Sequence, residues 1–121
     1  MTATSAHQKT VCDAIAALGG KITLHSGDPG TTGANLITTS PASGTTTWGA
    51  SADGAGGDTG KAVATGSAVT LQVPASTTAS HYGIWSGSTF LRGHALDASI
   101  ATNANAVNVD VTPKTKYIGG Q

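Results

Sequence analysis

The chain has 121 residues, six basic and six acidic side chains, and a formal net charge of zero. Neutrality with no Lys/Arg cluster argues against a nucleic-acid binder, which draws most of its affinity from concentrated positive charge. No apolar run approaches the length of a membrane span, and the amino terminus "MTATSAHQKTVCDA" lacks the basic-then-apolar pattern of a secretory signal.

Leu, Ile, Val and Phe are scarce; Ala, Thr, Ser and 17 Gly make up the difference. Disorder normally couples low hydrophobicity with high net charge, and the charge is missing here. The composition suits one domain with a thin core, small packed side chains and many turns. Such a core gives a monomer modest stability, so support from neighbouring chains is expected. The single cysteine, Cys12, has no internal partner for a disulfide, which fits synthesis in a cytoplasm.

The first predicted element is a helix over residues 5–18. Ser5 is a candidate N-cap, Val11, Ala14, Ile15 and Leu18 recur on one face, and Gly19–Gly20 offers a left-handed stop. After it the period becomes two. "KITLH" (21–25) reads as a strand, followed by a Thr/Ser/Gly-rich excursion over 37–60 holding a weak strand around Trp48. "VTLQV" (69–73) sets Val69, Leu71 and Val73 against Thr70 and Gln72, with Pro74 ending it. "HYGIW" and "TFLRGHAL" flank Ser86–Gly87–Ser88 as a hairpin, and "VNVDV" (107–111) is a last strand closed by Pro113. Strands joined by turns behind one helix predict a mainly β fold: a small antiparallel β-sandwich or open barrel over 21–113 with one N-terminal α-helix. Residues 114–121, "KTKYIGGQ", are expected to form a tail.

The stretch "LHSGDPGTTGAN" (24–35) joins His25 to Asp28, a pairing that serves a general base or a metal ligand elsewhere. Turn chemistry explains it better. Asp28 accepts backbone N–H groups, Pro29 fixes φ, and Gly30 and Gly33 take conformations that other residues resist. The further histidines are His7, His81 and His94. His25, His81 and His94 all fall at strand ends, but none shows the short spacing of a zinc site. "SADGAGGDTG" places Asp53 and Asp58 in a poor likeness of a calcium loop and is expected to be a surface loop. Cys12 is expected to be a buried, inert thiol. All six acidic residues are Asp, and no nucleophile elbow occurs, so neither an enzyme nor a cofactor is expected. Among the aromatics, Trp48, Trp85 and Tyr117 are candidates for an interface or for stacking on a glycan; Ile84–Trp85 and Phe90–Leu91 also suit a core.

The motif Leu24–His25, Asp28–Pro29–Gly30 and Gly33–Ala34 resembles the opening of a family of small bacteriophage virion proteins, minor tail or tail-fibre proteins. "SHYGIWSGSTFLRGHAL" is similar to that family's second half. Where the family commonly has a Tyr-Ala-Arg strand, this chain has "TTTWGAS", with Trp48 in the aromatic's place. The resemblance implies a non-catalytic virion subunit, made in the bacterial host cytoplasm and assembled with other virion proteins. By analogy with fibres and decoration proteins it implies a homotrimer. A minor tail protein is the leading expectation; a capsid decoration protein and a host-glycan-binding module are the alternatives.

Overall fold

The structure, a computed structural model, describes residues 4–118. It is mainly β with one helix near the N-terminus and antiparallel sheets, as a small β-sandwich or open barrel requires. In chain order the elements are α1 (Ser5–Ala16), β1 (Lys21–His25), β2 (Gly44–Thr45), β3 (Ala52–Asp53), β4 (Ala62–Thr65), β5 (Val69–Val73), β6 (Thr78–Ser86), β7 (Thr89–Ala101), β8 (Val107–Val111) and β9 (Lys114–Tyr117).

The largest sheet has the order β2-β1-β6-β7, and the ribbon β5-β8 lies against it. Alternation works as the sequence suggests. Val69, Leu71 and Val73 of β5, with Val109 and Val111 of β8, meet Ile22, Leu24, Tyr82 and Ile84 in the main core. The β6–β7 hairpin closes with Ser86 opposite Thr89, and Gly87 takes φ 58 at the first loop position. A positive φ there matches the right-handed twist of the flanking strands.

The second layer is β3-β4-β9, which carries the helix. Strands β4 and β5 run on from each other, as do β8 and β9, so the two ribbons are one bent pair. Thr65 pairs with Lys114 and Val69 with Val111, leaving β4–β5 one residue longer across the bend. One extra residue kinks and twists an antiparallel pair. Gly66 sits at that corner, where any Cβ would collide with Thr46. Trp48 packs on both the main core and the helix layer.

Four expectations are corrected. Residues 114–117 form strand β9 rather than a tail, because Lys114, Thr115, Lys116 and Tyr117 pair with Thr65, Ala64, Val63 and Ala62. Thr115 is buried there and the neighbouring lysines are exposed, so the strand's apolar face is a threonine methyl and an aromatic ring. Residues 119–121 lie outside the described residues. The helix buries Gln8, Cys12 and Ala16 instead of the Val11–Leu18 stripe, and Leu18 is 61% exposed. The surface that receives it is Ala62 and Ala64, small enough to admit the helix closely at Cys12. The N-cap is Thr4, whose hydroxyl accepts from His7 N at 3.2 Å, while Ser5 donates to Asp53. Finally, Gly19–Gly20 does not adopt the left-handed region. Gly19 serves close approach, since a Cβ there would stand 2.5 Å from the Trp85 carbonyl oxygen.

Candidate functional site

The 24–35 motif is built on one face of the main sheet. Strand pairing sets three rows across β1, β6 and β7: Lys21–Trp85–Phe90, Thr23–Gly83–Gly93 and His25–His81–Ala95. Directly opposed residues share a face, so the middle row is a trough floored by two glycines. The His25 ring and the Pro29 ring occupy it. A methyl group on Gly83 would lie 2.6 Å from His25 Nε2, and one on Gly93 would collide with the Pro29 ring.

Hydrogen bonds fix the histidine completely. His25 Nδ1 lies 2.8 Å from Ala34 O, an acceptor only, so Nδ1 carries the proton and donates. Nε2 is then an acceptor, and Thr23 Oγ1 at 2.7 Å donates to it. The same hydroxyl oxygen accepts from Trp85 Nε1 at 2.8 Å. The chain Trp85 N–H to Thr23 O–H to His25 to Ala34 O satisfies every polar atom with one neutral tautomer. His25 is fully buried, and burial holds its pKa below the ordinary value, with the smallest contribution, in the same direction, from the nearby His81 imidazole. The Ala34 carbonyl works the other way. While the loop is closed, this neutral imidazole has both nitrogens engaged and presents neither a free lone pair nor a free N–H.

The loop itself follows its turn chemistry. Asp28, exposed, accepts from Gly30 N at 2.9 Å, and Gly30 stands at φ 60. Gly33 N and Ala34 N both donate to Pro29 O at 3.0 Å, which curls the loop back onto the sheet. Gly33, at φ 77, touches Trp85, whose ring atoms would stand 2.8 Å from any Cβ. Asn35 takes φ 61 and its side-chain amide donates to Asp28 O, tying the loop's two ends. Leu24 points to the opposite face and is fully buried in the main core.

The aromatic candidates are engaged internally. Trp85 is half-buried between Gly33 and Phe90, with Lys21 Nζ 5.6 Å from its ring. Trp48 is half-buried and donates to Gly19 O at 2.9 Å, and Tyr117 packs on the helix layer. Of the four histidines, His25 and His81 come together; His94 lies on the other face, stacked on Tyr82 at 5.6 Å, and His7 is exposed on the helix. Among the described residues no group of three or more His, Cys, Asp or Glu side chains gathers as a cation site. Asp58 is a surface pin, with its carboxyl held below the usual range chiefly by Lys116 at 3.0 Å, and Asp53 lies 3.8 Å from Lys9. Cys12 is buried against Ala62 O and Thr115 O.

Thr23, Gly83 and Gly93 are the residues that the sequence does not single out. Thr23 and His25 sharing a face is readable from alternation alone; the glycine pair needs the cross-strand register. A groove of about 320 Å³ opens on the opposite face, where β7 parts from β8 and β9, lined by Tyr82, His94, Leu96, Ile100, Val109 and Lys114 among others. Comparison with family models, with curated proteins and with solved structures finds no match.

Proposed function

We propose that the chain is a non-enzymatic structural subunit of a bacteriophage particle, a minor tail protein on the tail, its tip or a fibre. The observation that carries this reading is the construction of the 24–35 motif. The residues on which the resemblance to small virion proteins rests are spent on shape: a buried neutral histidine, a proline in a glycine trough and a loop folded onto its own sheet. Chemistry would need at least one of those groups to be open.

The sheet edges support association with other chains. Strand β7 runs thirteen residues and, among the described residues, is paired only with β6. A long unpaired edge is a template for another chain, and a virion subunit is one setting in which neighbours cover it. Self-association as a homotrimer, with further contacts to other virion proteins, is the arrangement proposed. Synthesis in the bacterial host cytoplasm and residence in the virion follow from the same reading.

Quantitative mass spectrometry of purified particles tests it. The expected result is this chain in fixed stoichiometry with tail proteins and enriched when tails are separated from heads. Enrichment with heads would move it to capsid decoration, and recovery only from the soluble lysate would overturn the virion reading.

A further inference from the structure

The Thr23–His25–Ala34 hydrogen bonds have a single protonation state in which they are complete, and they hold the loop that covers the sheet. We propose that residues 26–35 form an acid-released clasp: protonation of His25 frees the loop and uncovers the glycine trough with the Trp85 and Phe90 rings.

The hydrogen bonds are complete for the neutral ring and incomplete for the protonated one. A proton on Nε2 points at Thr23 Oγ1, which already receives the Trp85 indole N–H at 2.8 Å. The Thr23 hydroxyl hydrogen then loses its acceptor. A buried charge without a counter-ion is far costlier than a buried neutral ring.

Among the described residues, no facing group supplies that counter-ion. From β6 the neighbour is His81, opposite His25 in the ladder, whose charge adds repulsion. From β7 it is Phe90, with ring centroids 6.2 Å apart, while Arg92 pairs with Ile84 on the far face. On β1 the nearest charge is Lys21, over Trp85. The loop's own carboxylate, Asp28, is exposed and accepts from Gly30 N. Among the described residues, the charged group that acts on His25 is therefore the basic His81.

The loop is the element free to respond. Its hydrogen bonds are Ser26 N to Asn35 O and Gly33 N and Ala34 N to Pro29 O within the loop, the His25 Nδ1–Ala34 O bond, and Ile37 N to Leu24 O at its base. Protonation at Nε2 leaves the Nδ1–H donor to Ala34 O in place, so release is driven by hydration of the buried charge, which displacement of the loop and its Pro29 and Gly33 contacts on the sheet supplies. The direction of pH is fixed by linkage. His25 has a folded-state pKa below the ordinary 6.5, so the clasped state is fully favoured above that value and is lost as pH falls from it through the folded pKa.

Amide hydrogen exchange on the full chain tests this at pH 7.5 and about pH 5, with rates corrected for intrinsic exchange. The expected result is a roughly tenfold or larger loss of protection at Ser26 and Ile37, the amides that bond across the base of the loop, with β5 amides unchanged. His25→Gln, which is neutral at both pH values, is expected to remove the pH response. Equal protection at both pH values, an undiminished response in the variant, or simultaneous loss in β5 would overturn the proposal. Should His25→Gln fail to fold, ¹⁵N shifts of the wild-type ring decide: Nδ1–H neutral at pH 7.5 and charging in step with loop opening is expected. A ring charged at pH 7.5, or still neutral once the loop has opened, would overturn it.

Discussion

Replacing Thr23 by valine keeps the side chain's shape and β-branching and removes one hydroxyl. That hydroxyl is the acceptor for Trp85 Nε1 and the donor for His25 Nε2. Both atoms then lack their partner inside the protein. An orphaned buried polar group costs about 1–3 kcal/mol. His25 is fully enclosed and belongs near the upper end of that range; Trp85 is half-buried, so water recovers part of its loss. The sum is roughly 2–4 kcal/mol, a large share of the ~5–15 kcal/mol that holds a typical domain folded. Urea denaturation followed by tryptophan fluorescence reads it directly. With a slope of about 2 kcal/mol/M, the midpoint is expected to fall by roughly 1–2 M at unchanged slope. Thr23→Ser is the control: it keeps the hydroxyl, loses one methyl, and is expected to cost about 1 kcal/mol. If Thr23→Val lies within about 0.5 kcal/mol of the wild type, or if the serine variant is equally destabilised, the hydroxyl does not hold the network and the account of the motif fails.

Gly83→Ala sets a methyl against His25, Thr23 and Phe90 and is expected to cost about 1–3 kcal/mol, whereas Gly57→Ala, with open space around it, is expected to be near neutral; paired thermal melts compare them. Truncation after Pro113 removes β9, which covers Cys12 through Thr115, so the Cys12 thiol is expected to change from unreactive to reactive toward a disulfide reagent under native conditions. Asp58 has a carboxyl depressed by Lys116 and, less, by Lys61, so its contribution is present above the ordinary 3.8 and lost as pH falls through the lower folded value. Asp58→Asn is accordingly expected to flatten the acid side of a stability–pH profile and leave the profile above pH 6 parallel to the wild type.

Strands with large alternating side chains were legible from sequence for a simple reason. Val69, Leu71 and Val73, or Val109 and Val111, are bulky enough that only one face can bury them. Strands β4 and β9 gave no such signal, because their inward residues are Ala62, Ala64 and Thr115, which alternation scarcely distinguishes from loop. The helix misled for a related reason. Its bulkiest stripe was read as the buried one, yet the receiving surface of two alanines selects the small Cys12–Ala16 side instead. Asp28, Pro29 and Gly30 were readable from turn chemistry, which is local. Gly83 and Gly93 were not, since their role comes from being opposite each other on two strands with a proline laid over them.

Imaging the assembled particle at subunit resolution tests the central claim most directly. The account expects density for this fold on the tail, its tip or a fibre, in symmetric copies, with the 24–35 loop folded on its own sheet at neutral pH. Particles that carry no copy of the chain would contradict it.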